Sequence, residues 1–284
     1  MPLLHLNGLR FHYQDWGGGG MPLVLLHGLA STCHIWDLAV PHLGQGLRVI
    51  ALDQRGHGDT EKPETGYDFG QMVADLNAFI QALGLERPAL VGHSWGGNVA
   101  LQYAATYPEA CRALVLVDGG FLEVSSEPGI TWEQARDRLT PPDFTGVTLE
   151  QFRERARQRD RRVPQTPEVE RIVLANFAVD GDGFIHPRLP RDKHMLIVRA
   201  MWEQRPSELY QRVTCPVLLI PAWSAPANER AVAMQANKRR ALALAQERLP
   251  RSRLLSMDDT IHDIPLQRPQ ELGEAIASFV RAPA

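Results

Sequence analysis

A chain of 284 residues exceeds one domain of ordinary size, and fits either two domains or one large α/β unit carrying an insertion. Its 44% hydrophobic and 22% charged residues exclude disorder, collagen and coiled coil, and a formal net charge of −3 gives no reason to expect a nucleic-acid or anionic-membrane partner. No run reaches the roughly 18 apolar residues of a membrane span, and Met1-Pro2-Leu3-Leu4-His5 lacks the basic start and apolar stretch of a secretion signal. Cys33, Cys111 and Cys215 are odd in number and scattered, which fits neither a disulfide framework nor a zinc site, so the expected setting is cytoplasmic.

Short apolar runs recur between turn signals and helical stretches, the alternation of an α/β sheet. Leu3 to Leu6 and Leu9 to Gln14 flank Asn7-Gly8 and predict a hairpin. Buried strands are expected at Leu23 to Leu26, Val49 to Leu52, Ala89 to Val91, Ala113 to Val117, Val217 to Ile220 and Leu254 to Met257. Met72, Val73, Leu76, Phe79, Ile80 and Leu83 form one apolar helical stripe ending at Gly84, and Leu272, Ile276, Phe279 and Val280 form another after Pro269.

From about Phe121 to Arg212 no strand pattern is evident, and Arg, Gln, Glu and Pro become frequent, so a helical insertion is expected. The resulting division is 1–120 and 213–284 for the two parts of a core, with 121–212 between them. Arg153, Arg155, Arg157, Arg159, Arg161 and Arg162 alternate in a way that spreads them around a helix, which points to a solvated surface and not to an anion-binding face.

Chemistry concentrates at Gly92-His93-Ser94-Trp95-Gly96-Gly97, set directly after Ala89-Leu90-Val91 and before the helical run from Asn98 to Tyr107. A serine on a sharp strand-to-helix turn needs small residues two places to either side, and the turn presents its hydroxyl at a helix N-terminus. Ser94 is the candidate nucleophile. A serine hydroxyl needs a base at neutral pH, and His262, in Ile261-His262-Asp263-Ile264-Pro265 between the last strand and the last helix, is the candidate. Backbone amides of Leu29, after His27-Gly28, and of Trp95, after the nucleophile, are the candidate donors to a developing oxyanion. His27 is expected to orient that loop.

His27-Gly28, Asp53-Gln54-Arg55-Gly56-His57-Gly58, Gly92-His93-Ser94-Trp95-Gly96-Gly97, and His262-Asp263 with Arg268-Pro269 together resemble the α/β-hydrolase superfamily, on its esterase and lipase side. The resemblance implies an eight-stranded, mostly parallel sheet with helices on both faces and a helical cap inserted after the sixth strand. It also implies a mainly structural role for Asp53 and Arg55. Relatives that open epoxides or carbon–halogen bonds carry aspartate where this chain has Ser94, which disfavours those reactions.

The family's usual acid follows the seventh strand as Gly-x-x-Asp, but this chain reads Ala222-Trp223-Ser224-Ala225 there. The alternative position is the end of the sixth strand, where Val115-Leu116-Val117 runs into Asp118, and Asp118 is the expected partner of His262. Glu229, Asp258 and Asp259 are the other candidates. The sequence thus points to a carboxylesterase-like serine hydrolase with a small-molecule ester or lactone substrate, no cofactor and no metal, as a monomer or small homo-oligomer. Hydrolysis of another acyl bond, peroxyacid formation, and a non-catalytic ligand-binding role are the alternatives. Trp132, Phe144, Phe177, Met195, Met201 and Trp202 are expected to roof an apolar pocket.

Overall fold

The computed structural model describes residues 2–158 and 162–282. Eight strands form one sheet: β1 (Leu3–Leu6), β2 (Leu9–Asp15), β3 (Met21–Leu26), β4 (Leu47–Leu52), β5 (Ala89–His93), β6 (Ala113–Val117), β9 (Val217–Ile220) and β10 (Ser252–Leu254). Their spatial order is β1-β2-β4-β3-β5-β6-β9-β10, antiparallel for β1 with β2 and β2 with β4, and parallel elsewhere. Strands β3, β5 and β6 are buried on both faces, which is why they read as unbroken apolar runs.

Helices α1 (Phe69–Ala82) and α2 (Trp95–Thr106) pack on one face of the sheet, with α8 (Glu229–Arg248) contributing Leu242 and Ala245 to the same core. On the other face, α9 (Ile264–Gln267) and α10 (Pro269–Arg281) bury Ile264, Leu272, Ile276 and Val280. In α1, Asp68 caps the N-terminus by accepting from Gln71 N–H, and Gly84 follows the helix at φ 60°. Burying Met72, Val73, Leu76, Phe79 and Ile80 contributes roughly 2 kcal/mol per side chain, more than helix propensity supplies.

Between β6 and β9 lie α3 (Trp132–Leu139), α4 (Leu149–Arg157), α5 (Pro167–Leu174), α6 (Arg191–Glu203) and α7 (Pro206–Leu209). The expectation of a purely helical insertion is corrected by a hairpin of β7 (Phe177–Val179) and β8 (Ile185–Pro187). Three-residue strands are too short to show alternation. The Asp180 carboxylate organises their turn by accepting from Asp182 N–H, Phe184 N–H and the His186 ring. Arg153, Arg155 and Arg157 are exposed on α4, while Arg159 and Arg161 lie outside the described residues. The last strand is also corrected, from Leu254 to Met257 to Ser252–Leu254. An edge strand tolerates polar Ser252 and Arg253, and Met257, although buried, makes only an isolated bridge to Ala222.

Candidate active site

Ser94 occupies the single-residue turn between β5 and α2, at φ 52°, a conformation costly for any residue with a side chain. Its N–H donates to Val117 O at 2.9 Å and its carbonyl accepts from Gly97 N–H at 2.9 Å. The turn can be this tight only because its neighbours lack side chains. A Cβ on Gly92 would lie 2.3 Å from Gly96 O, and one on Gly119 would lie 1.9 Å from Ser94 O.

His262 sits in the loop between β10 and α9, and its Nε2 is 2.8 Å from Ser94 Oγ. Its Nδ1 lies 2.7 Å from Oδ2 of Asp118, which directly follows β6 at φ 43° and is 5% exposed. Donation of Nδ1–H to that carboxylate leaves Nε2 free to accept from the serine. Burial opposes ionisation of Asp118, but the hydrogen bond and charge of His262 and the Lys238 ammonium hold its carboxyl below the usual range. For His262, desolvation lowers the pKa, and the hydrogen bond and charge of Asp118 outweigh it, so the net shift is upward. The other acid candidates lie apart from the imidazole. Glu229 is exposed at the start of α8, Asp258 is exposed beside Ser256 Oγ, and exposed Asp259 faces Arg162 at 3.4 Å.

Trp95 opens α2, so its N–H belongs to the first-turn donors that have no intrahelical acceptor. Leu29 follows the His27-Gly28 turn after β3. Two neutral imidazoles shape that turn. His27 donates from Nδ1 to Gly28 O at 2.8 Å and accepts at Nε2 from Gln54 N–H at 3.1 Å. His57 donates to Arg55 O at 2.9 Å and accepts from Ala30 N–H at 3.2 Å. Burial lowers the pKa of both. The His57 ring also stacks on Trp95, with centroids 5.1 Å apart.

Asp53 and Arg55 are structural. Asp53 takes the His12 ring at 2.6 Å and the amides of Cys33 and Asp59, while Arg55 makes two bonds to buried Asp75, at 2.6 and 3.0 Å. His12, Cys33 and Asp53 bring potential ligand atoms within 4.8 Å of one another. Those donors fit a metal poorly, because both Asp53 oxygens and His12 Nδ1 are already committed to hydrogen bonds and burial drives the Cys33 thiol pKa far up.

Three contributors were not identified from the sequence. His93 is buried and donates from Nε2 to the His262 carbonyl at 2.8 Å, although the motif showed it only as a variable position. Gln267 accepts from Ile261 N–H at 2.7 Å and donates to Asp259 O at 2.8 Å, closing the loop around His262. Lys238 of α8 meets Asp118 Oδ1 at 2.7 Å. A lysine in a polar helix gives no sequence signal for such a contact.

A cleft of about 720 Å³ is lined by Phe152 of α4, Val169 and Val173 of α5, and Ile261, Asp263 and Leu266 of the segment that contains His262, with neither Ser94 nor His262 in its lining. None of the expected roof residues lines this cleft. Phe144 and Phe177 pack with Phe152 in a small core within the insertion, Trp132 meets Trp202 with ring centroids 6.0 Å apart, Met195 contacts Thr140, and Met201 packs on the main core.

The family model described as "alpha/beta hydrolase fold" matches residues 21–168. The soluble epoxide hydrolase of Corynebacterium sp. strain C12 is 40% identical over 113 residues, covering 40% of this chain and 39% of that protein. The N-formylmaleamate deformylase of Pseudomonas putida is 38% identical over 113 residues, covering 39% of this chain and 42% of that protein. The chain thus matches about two fifths of the length of these relatives. Among solved structures, E-2-(acetamidomethylene)succinate hydrolase superposes with a TM-score of 0.79 at 24% identity, over 99% of this chain and 98% of its own, which shows a shared fold. With its family model matched across half the chain and the eight-stranded sheet carrying Ser94 on a strand-to-helix turn, the chain belongs to the α/β-hydrolase family.

Proposed function

We propose that this chain is a cofactor-independent serine hydrolase that cleaves a carboxylic ester or lactone through an acyl-enzyme intermediate. The continuous contact from Ser94 Oγ to His262 Nε2, at 2.8 Å, and from His262 Nδ1 to Asp118 Oδ2, at 2.7 Å, carries this reading. His262 takes the hydroxyl proton as Ser94 attacks the carbonyl carbon. The amides of Leu29 and Trp95 receive the oxyanion, and Asp118 stabilises the imidazolium without taking its proton. His262 then returns the proton to the leaving alkoxide, and a water molecule repeats the sequence on the acyl-serine.

Similarity to an epoxide hydrolase does not favour epoxide opening here. A carboxylate attacking an epoxide leaves an ester that water can cleave, whereas Ser94 would leave an ether. A second reading, hydrolysis of an acyl–nitrogen bond, is supported by the relatives named for deformylase and acetamidomethylene hydrolase activities, since the same serine and base would act on an amide carbonyl. Parallel assays with short p-nitrophenyl esters, lactones and matched N-acyl compounds separate the two. Turnover of the esters that disappears in Ser94→Ala supports the primary reading; turnover of the N-acyl compounds alone replaces it with the second.

A further inference from the structure

Along α8, Lys238, Leu242 and Ala245 form the inward stripe, so a lysine stands where an apolar residue is expected. Burying an unpaired ammonium is costly, and a lysine retained there needs acceptors. Lys238 Nζ has two, Asp118 Oδ1 at 2.7 Å and Ala222 O at 3.1 Å, and it lies 5.7 Å from the centroid of the Trp223 ring. Asp118 Oδ1 also accepts from Ala222 N–H at 2.9 Å, so this oxygen is fully engaged and Oδ2 is left to His262. Ala222 and Trp223 follow β9, the segment in which the family's usual acid is replaced by Ala225.

We propose that Lys238 is a positioning residue for the Ser94, His262 and Asp118 constellation, fixing the relocated carboxylate by its far oxygen so that the near oxygen stays aimed at His262 Nδ1. The inference rests on the catalytic reading of Ser94 given above. The charged and titratable groups facing His262 are Asp118 from β6, Asp263 from its own loop, Lys238 from α8 and His93 from β5. The two carboxylates stabilise the imidazolium and Lys238 opposes them. With Asp118 in place, removing the ammonium takes away a charge that opposes the imidazolium, so His262 becomes more basic and stays protonated to higher pH.

The test is the pH profile of kcat/KM on p-nitrophenyl acetate for the wild type, Lys238→Met and Lys238→Arg, with a fluorophosphonate probe used to titrate Ser94 in each. Lys238→Met is expected to lower the plateau about tenfold and, where Asp118 keeps its place, to move the acid limb to higher pH, while Lys238→Arg restores most of both. Lys238→Gln, which keeps a donor but removes the charge, should show the same upward shift and serves if the methionine variant does not fold. A folded Lys238→Met or Lys238→Gln whose kcat/KM plateau stays at the wild-type level overturns the role of Lys238 while leaving Ser94 intact. A wild type whose Ser94 neither labels nor turns over ester overturns the underlying reading, and the role of Lys238 with it.

Discussion

The ring of His93 donates from Nε2 to the backbone carbonyl of His262 at 2.8 Å, so the residue just before the candidate nucleophile tethers the loop that carries its base. Two segments 169 positions apart are thereby held in register at the point where Ser94 and His262 must meet. Nδ1 of the same ring is buried without a partner among the described residues, which makes protonation of His93 costly. Burial, reinforced by the neighbouring His262, brings the His93 pKa down to about 4.

A stability prediction follows. Between about pH 6.5 and 4 the unfolded chain binds a proton at His93 that the folded chain does not, so this group makes stability fall as the pH drops through that window, by about 3 kcal/mol in all. His262, shifted upward, acts in the opposite sense. In urea melts at pH 7.5 and 5, His93→Gln should therefore lose less stability on acidification than the wild type, even with a lower starting value. An equal or larger loss contradicts the assignment.

Replacing Asp118 by Asn removes the charge that stabilises the imidazolium and, with the amide oxygen held by Lys238 and Ala222 N–H, turns an NH2 donor toward His262 Nδ1, so kcat on an ester should fall about 10³- to 10⁴-fold. Because the change also leaves Lys238 partly unpaired, a fall in Tm is expected, and the kinetics belong at a temperature where circular dichroism shows the variant folded. Glu229→Gln, Asp258→Asn and Asp259→Asn should stay within about twofold of the wild type. A large loss in any of these three, with Asp118→Asn near wild type, would transfer the acid to that position.

His262 must be neutral to accept the serine proton, so kcat/KM should rise with pH through its pKa. Asp118 shifts that pKa upward, which places the midpoint of the acid limb above the ordinary histidine value of about 6.5. A profile on p-nitrophenyl acetate from pH 4.5 to 9 reads it directly. A midpoint below that value would mean that desolvation dominates.

The space around Ser94 has no room for another methyl group at position 119. Gly119→Ala places a Cβ 1.9 Å from Ser94 O, against backbone that cannot yield without shifting the turn. Thermal melts should show destabilisation of several kcal/mol, or no folded protein, whereas Gly129→Ala, in open space but at φ 76°, should cost only about 1 kcal/mol. Equal melting of the two variants would show that the turn is not tightly packed.

The parts of this fold legible in the sequence are those where a local pattern and a buried environment coincide. Leu23 to Leu26 and Ala113 to Val117 are apolar because both faces of the sheet are covered, and Gly92 and Gly96 flank Ser94 because the turn has no room for a Cβ. Asp118 is legible because Ala225 leaves the usual position without a carboxylate, and its Oδ2 lies 2.7 Å from His262. The features with no local signal depend on distant contacts. Lys238 reads as one more charge on a polar helix until Asp118 is seen beside it, and β10 is displaced from the apolar run because an edge strand pairs through its backbone and leaves Leu254 41% exposed. An aromatic side chain in the insertion reads the same whether it belongs to the insertion's own core or to a pocket wall, and Phe144 and Phe177 pack against the small core around Phe152.

The most direct measurement is the intact mass of the wild type before and after a fluorophosphonate probe, with peptide mapping, alongside Ser94→Ala and Asp118→Asn. An activated serine predicts one equivalent of label, mapped to Ser94, absent in Ser94→Ala and slowed in Asp118→Asn. A folded wild type that remains unlabelled, or that is labelled at another residue, would contradict the assignment of Ser94 as the nucleophile.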